Sequence, residues 1–409
     1  MNNRLAIDGG TPVRSRVLPY SHQSIDERDV QLVVDALHSD WLTTGPKVRQ
    51  FEQAFARHVG AGEAVAVSSG TAALHAAMYA LGVSAGDEVI VPALTFVASA
   101  NCVVYQGGTP IFADVDAETL LIDPKDVAAK ITSRTRAIIA VDYAGQPCDY
   151  EALKVSAGRK SQIAVVADAC HSLGASDKGR PVGTLADLNV FSLHPVKAIT
   201  TGEGGAVTTN SFETAYRMRC FRNHGVTSDH FQREQQGSWL YEMVELGYNY
   251  RLSDLQCALG MSQLERLTNW IVRRRAIARR FDEAFCQLVG VRPLRVRSDV
   301  EHAYHLYVVR LDLACLSVDR AKIFAALRAE GIGANVHYLP VHLHPFYRDR
   351  FGLGPGYCPN AESAYETILS LPLFPAMNDR DVADVIEAVW KVISAYAVDT
   401  RAAAAAGAR

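Results

Sequence analysis

The sequence lacks several things that would assign it quickly. No apolar run approaches the roughly 20 residues that span a bilayer. The opening Met1-Asn2-Asn3-Arg4-Leu5-Ala6-Ile7-Asp8 holds no apolar stretch of signal-peptide length. Neither sign of charge dominates: 41 Lys plus Arg against 44 Asp plus Glu leaves −3. That balance argues against nucleic acid or an anionic membrane surface as the main partner. The eight cysteines, at 102, 148, 170, 220, 257, 286, 315 and 358, include no Cys-x-x-Cys pair. Neither a structural zinc nor a disulfide framework is therefore expected, and reduced thiols in a cytoplasmic protein are. No internal repeat is visible. No Gly-x-Gly-x-x-Gly follows the first strand, where the chain reads Ser68-Ser69-Gly70-Thr71. This places a doubly wound nucleotide oxidoreductase last among the alternatives.

What is present is ordinary globular composition, 49% hydrophobic and 21% charged over 409 residues, enough for two or three folding units and a large core. Residues 23–60 read as helical with a break at Thr43-Thr44-Gly45-Pro46. Short apolar strands are then expected at 64–67, 89–91, 110–113, 137–141, 163–167, 189–192 and 206–209, with helices between, as at 72–81 and 99–105. Strands this apolar, alternating with helices, predict an α/β fold with a mostly parallel seven-stranded sheet covered on both faces. A long helical pattern from about Ser262 leads into a smaller C-terminal α/β domain. There a strand is expected at 304–313, a helix at 319–329, a strand at 334–338 and a last helix at 381–396. The expected division is an N-terminal arm (1–22), a large domain (23–265), a small domain (266–400) and an alanine-rich tail (401–409) with no assigned function.

Four segments at the C-terminal ends of predicted strands carry chemistry, and that edge is where open α/β sheets bind ligands. Ser68-Ser69-Gly70-Thr71 is a strand-to-helix turn: Gly70 permits close backbone approach, Thr71 offers a hydroxyl, and the helix N-terminus suits a phosphate. Ordinary helix capping is the plainer reading. Asp168 follows the strand at 163–167, and Ala169-Cys170-His171 comes next; a carboxylate there can meet a protonated ring nitrogen, or simply cap a helix. Lys197, in Phe191-Ser192-Leu193-His194-Pro195-Val196-Lys197, precedes the glycine turn Gly202-Glu203-Gly204-Gly205. A lone lysine is usually a solvated charge, whereas a confined one can lose its proton and attack an aldehyde. Phe96, after the strand at 89–91, can stack on a planar ring or join the core. Together these are the parts of a pyridoxal 5'-phosphate site, in chain order.

At these residues the chain resembles the sugar-nucleotide aminotransferases of the DegT type, within the aspartate-aminotransferase-like fold type I class. The resemblance spans about Tyr20 to Tyr396. It rests on Ser69-Gly70-Thr71, the run Ala167 to Gly174, Ser192 to Lys197, the run Thr200-Thr201-Gly202-Glu203-Gly204-Gly205-Ala206, and Gly247-Tyr248-Asn249-Tyr250-Arg251. It implies that Lys197 is the Schiff-base lysine and Asp168 the partner of the pyridine nitrogen. Phe96 would stack on the ring, while Gly70, Thr71 and Ser192 would hold the phosphate. His171 would lie beside the phenolic oxygen. Asn249 would reach the cofactor phosphate of a second subunit, which implies a homodimer with sites at the subunit interface.

Family members with a Thr-Thr-Gly-Glu-Gly-Gly run tend to act on 4-keto sugars. Val141 to Asp149 and Glu242 to Leu264 are most similar to the branch serving pseudaminic acid biosynthesis. The implied reaction moves an amino group from L-glutamate to a UDP-linked 4-keto-6-deoxy-N-acetylhexosamine for a surface glycan. Its sugar-nucleotide contacts match Tyr20, Trp41, Thr43, His337 and Tyr338, and Arg251 is a candidate for the diphosphate. The extension Leu5 to Arg14 is atypical of that branch and resembles relatives acting on 3-keto sugars or keto-inositols. More distant alternatives are a silent cofactor-binding relative and a sugar dehydratase, which would replace the lysine with histidine.

Overall fold

The structure is a computed structural model and describes residues 4–158 and 162–398; the tail at 401–409 lies outside the described residues. Seven strands build the main sheet: β1 (Glu63–Val67), β2 (Glu88–Pro92), β3 (Thr109–Ala113), β4 (Thr135–Val141), β5 (Ala164–Asp168), β6 (Leu188–Ser192) and β7 (Gly205–Thr209). Their order across the sheet is β1-β7-β6-β5-β4-β2-β3. Six run parallel, and β7 is antiparallel to both of its neighbours. The strands are apolar on both faces because helices cover both; the Ala-rich helix Gly70–Ala80 is buried on nearly every side. Parallel strands end at a common edge, so the residues after β1, β2, β4, β5 and β6 are brought together there.

A second core lies around a small antiparallel sheet of β8 (Val291–Pro293), β9 (Tyr307–Leu311) and β10 (Ile368–Leu371). The helix Asp254–Phe285 serves both cores: Leu264, Leu267 and Ile271 belong to the first, and Ile277, Phe281 and Phe285 to the second. This helix begins at Asp254 rather than near Ser262. Ser253 and Gln256 form a reciprocal capping box at its start. Among the described residues no helix is long and apolar enough to cross a membrane.

Two expectations fail locally. The strand expected at 304–313 shortens to Tyr307–Leu311, because Tyr304 adopts a left-handed φ of 51°. The strand expected at 334–338 is absent and leaves one bridge between Asn335 and Ser370. The Asn335 side chain instead bonds locally, its Oδ1 accepting from the Val336 N–H at 2.8 Å, and His337 Nδ1 lies 2.8 Å from Ser370 Oγ on β10.

The N-terminal arm is strapped to the small domain. Leu5 is buried in the second core. Glu330, with no exposed surface, accepts from the N–H groups of Ala6 (2.8 Å) and Val13 (3.0 Å) and from Lys391 Nζ (2.8 Å). Arg14 pairs with Asp381 and Asp384. The arm then runs to the sheet edge, where Ser21 Oγ donates to the Val196 carbonyl at 3.1 Å. Glu330→Ala leaves two N–H groups unpaired and the mostly buried Lys391 ammonium with only the Thr11 carbonyl, at 2.8 Å. It is expected to destabilise the small domain by about 3 kcal/mol, read as a lower thermal midpoint together with faster proteolysis of the arm. An unchanged midpoint would contradict this role.

Candidate active site

Asp168 is the last residue of β5 and only 6% exposed. Its Oδ2 accepts from Ser99 Oγ at 2.6 Å and its Oδ1 from the Cys170 N–H at 3.3 Å. Ser99 Oγ also lies 2.8 Å from Thr95 Oγ1. Its one proton is committed to the carboxylate, so the Thr95 hydroxyl is the donor to Ser99. The acid is thus fixed by neutral donors and keeps its charge available to a ligand.

Lys197 lies in the turn after β6, half-buried, with its backbone N–H on the His194 carbonyl at 2.9 Å. Its ammonium makes no hydrogen bond or ion pair among the described residues. Burial pulls its pKa below the usual lysine range, while the Cys170 thiol and the Asp168 carboxylate oppose that pull. The following run is pinned in place: Thr200 Oγ1 donates to the Leu193 carbonyl at 3.1 Å, and Thr201 Oγ1 donates to the Glu203 carbonyl at 2.7 Å. A Cβ on Gly205 would collide with the Ser69 carbonyl, so glycine there lets β7 start directly against the turn after β1.

That turn is the cradle. Ser69 caps the helix, its side chain accepting from the Ala72 N–H at 3.0 Å, and the Gly70 and Thr71 N–H groups have no partner within the helix. A Cβ on Gly70 would sit 2.8 Å from Ser192 Cβ, so glycine is needed for the two segments to approach.

An aromatic and imidazole wall completes this edge. His171 is 6% exposed, its Nε2 is 3.2 Å from the Tyr338 hydroxyl, and its ring centroid is 4.3 Å from that of His305. Burial pushes the His171 pKa well below its ordinary value, with Lys197 and His337 adding, so the imidazole is neutral. Its Nδ1 is buried without a hydrogen-bond partner among the described residues. Burial, with Lys197, holds His337 near a pKa of about 4. Its ring lies 5.3 Å from Tyr20 and 4.9 Å from Tyr338. Phe96 is 57% exposed and lies 6.0 Å from Tyr338, centroid to centroid.

The remaining expected residues gather elsewhere. Thr43, Asn249 and Arg251 line an open cavity of about 680 Å³ together with His224, Arg233 and Tyr241, and neither Lys197 nor Asp168 lines it. Arg251 donates to Asn223 Oδ1 at 3.0 Å. Trp41 packs edge-on against His230 and Phe231. Tyr250, between Asn249 and Arg251, nevertheless ties this segment to the cradle, its carbonyl accepting from the Ser68 N–H at 2.8 Å.

Sequence reasoning missed Thr95, Ser99 and His305. For the first two a signal exists: two hydroxyls four residues apart fall between an apolar strand and the helix Ala98–Tyr105. His305 carries no local sign, since it reaches the edge from the start of the small domain. Pyridoxal phosphate fits the residues present. Gly70 and Ser192 leave backbone donors clear for a phosphate, and Asp168 is an acid free of any cation partner. Lys197 is a desolvated amine, and the orphaned His171 Nδ1 remains to be satisfied.

Residues 23–390 match the DegT/DnrJ/EryC1/StrS aminotransferase family. The chain is 43% identical over 382 residues to the spore coat polysaccharide biosynthesis protein SpsC of Bacillus subtilis (strain 168), covering 93% of this chain and 98% of SpsC. It is 38% identical over 382 residues to the UDP-4-amino-4-deoxy-L-arabinose–oxoglutarate aminotransferase of Shewanella sediminis, covering 92% and 98%. Among solved structures, the Streptococcus pneumoniae protein Spr1654 in its PMP form superposes with a TM-score of 0.87 at 33% identity, covering 92% of this chain and 99% of that one; Spr1654 is also solved in a PLP form. Helicobacter pylori PseC, an aminotransferase of pseudaminic acid biosynthesis, superposes with a TM-score of 0.87 at 31% identity, covering 93% and 100%. The chain belongs to the DegT/DnrJ/EryC1/StrS aminotransferase family.

Proposed function

We propose that this chain transfers the amino group of L-glutamate to the 4-keto carbon of a nucleotide-linked 6-deoxy sugar, in particular a UDP-linked N-acetylhexosamine, in surface glycan synthesis of the pseudaminic acid type. Membership of the family makes it a sugar aminotransferase working with pyridoxal 5'-phosphate. The finer reading is supported by the 4-amino sugar and oxoglutarate in the name of the Shewanella relative and by the pathway of PseC. It rests most on the half-buried Lys197 amine, unpartnered among the described residues, at the same sheet edge as Asp168.

The cofactor supplies an electron sink that stabilises negative charge on the carbon losing its proton. Asp168 holds the proton on the ring nitrogen. Lys197 Nζ would hold the cofactor's aldehyde at rest and, once free, would take up and return the proton of the substrate carbon. Burial lowers its pKa, which favours the neutral amine relative to a solvated lysine. Gly70, Thr71 and Ser192 hold the phosphate, and Phe96 covers one face of the ring. His171 orients the phenolic oxygen, and Tyr20, His337 and Tyr338 face the sugar.

Asn249 and Arg251 serve a second copy of the chain in a homodimer. Beside them lies the stretch from Trp239 to Leu246, in which Trp239 is 85% and Leu246 74% exposed and Leu240, Tyr241, Met243 and Val244 are also exposed. So much apolar surface in one run marks an interface. Trp41, Thr43 and Arg251 meet the nucleotide diphosphate across it.

Lys197→Ala is expected to abolish the yellow absorbance of the loaded enzyme and to cut transamination at least a thousandfold, since the residue supplies both attachment and proton transfer (roughly 10²–10⁴ for the latter alone). Full turnover in that variant would overturn the role. With glutamate and a UDP-linked 4-keto-6-deoxy-N-acetylhexosamine, NMR should place the new amine on C4; amination only of 3-keto substrates would favour the alternative. Mixing the inactive Lys197→Ala and weakened Asn249→Ala chains should restore activity, because one site per mixed dimer regains both residues. No gain on mixing would assign Asn249 to its own chain.

A further inference from the structure

A second acid sits beside Asp168. Asp142 directly follows β4, and its N–H donates to the Asp168 carbonyl at 3.1 Å. Its carboxylate has no exposed surface. Oδ1 accepts from the Cys148 N–H at 2.8 Å and the Tyr150 hydroxyl at 2.6 Å, and Oδ2 accepts from Ser172 Oγ at 2.6 Å. No cation pairs with it among the described residues. Arg297 reaches the adjoining loop, where it contacts the Pro147 carbonyl, but its guanidinium is bound by Asp177 (3.0 Å) and Asp299 (2.9 Å).

Burial pushes the Asp142 carboxyl up to about 6; the bonds from Ser172, Tyr150 and Cys148 resist, and the Asp168 charge adds to the rise. The acid is therefore mostly ionised at neutral pH and becomes neutral as the pH falls through about 6. Two buried carboxylates thus sit on residues joined through the backbone, both hydrogen-bonded and neither paired with a cation among the described residues. A buried charge in that state costs free energy unless a cation arrives.

We propose that Asp142 is a positioning residue for the cofactor ring, acting as a second negative charge behind Asp168 that helps hold the proton on the ring nitrogen. Ser172 mechanically ties it to the turn that carries Asp168 and His171. The inference rests on the reading in which Asp168 faces that nitrogen and Lys197 carries the cofactor. The groups facing Asp142 are Tyr150, Cys148 and Ser172 through hydrogen bonds and Asp168 through charge; Arg297 acts on Cys148 from the same loop.

The test is a pH titration of the ring-nitrogen NMR shift in holoenzyme loaded with nitrogen-15-labelled pyridoxal phosphate. A negative charge favours the protonated ring nitrogen, so Asp142→Asn is expected to lower its titration midpoint by about one unit. Retention of the cofactor on dilution should weaken by about tenfold. A purely architectural residue would lower thermal stability and leave the midpoint in place, so an unmoved midpoint in a folded, yellow variant overturns the inference. If Asp142→Asn does not fold, Tyr150→Phe replaces it. Loss of one donor favours neutral Asp142 and should move the midpoint down by a smaller amount; no movement overturns the inference there too. Absence of the yellow band from the wild-type holoenzyme would overturn the Lys197 reading as well, which separates the two failures.

Discussion

The structure depends on a carboxylate buried at the end of a parallel strand and held only by neutral donors. Asp168 takes the Ser99 hydroxyl and the Cys170 amide, with Thr95 behind Ser99. Hydroxyl and amide donors fix an acid without cancelling its charge, whereas an ion pair would fix and neutralise it together. The charge is left directed toward a ligand. Everything else on this edge is compatible with that choice. Burial lowers the Lys197 pKa, and His171 and His337 are kept neutral by burial, so neither imidazole competes as a cation for the acid.

Backbone constraints serve the same end. Gly70 allows Ser192 to touch the start of the first buried helix, and Gly205 lets β7 begin against Ser69. These two contacts pull the cradle, the lysine turn and the one antiparallel strand into a single corner. Thr200 and Thr201 lock the run between them. From the other side the arm reaches the same corner through Ser21, having first been anchored on Glu330 in the small domain. The lysine turn is thereby linked to both cores, which gives small-domain packing a direct route to the chemistry.

Much of this was legible because apolar runs and chain order determine a parallel sheet. The strands expected at 64–67 and 189–192 appear as Glu63–Val67 and Leu188–Ser192. Since Asp168 and Lys197 follow such strands, parallel topology alone brings them to one edge. Strand direction was not legible: Ala206 to Thr209 is buried like its neighbours, and the reversal comes from a connection at 193–204 that carries no crossover helix. The start of the long helix was hidden because Cys257, Ala258 and Gly260 dilute its apolar period. The segment at 334–338 failed as a strand because Asn335 turns its side chain onto the next N–H, leaving one bridge to Ser370. Ser99, His305 and Asp142 were invisible for another reason. A hydroxyl, an imidazole and a carboxylate have no chemical identity until the fold supplies their neighbours. The cluster of Thr43, Asn249 and Arg251 lines a cavity apart from Lys197 and Asp168 within one chain.

The most direct measurement is borohydride reduction of the holoenzyme followed by peptide mass mapping, which makes the lysine–cofactor bond permanent and locates it. The account predicts the added cofactor mass on the peptide that contains Lys197 and on no other. Stoichiometric label on a different lysine, with the Lys197 peptide unmodified, would contradict it.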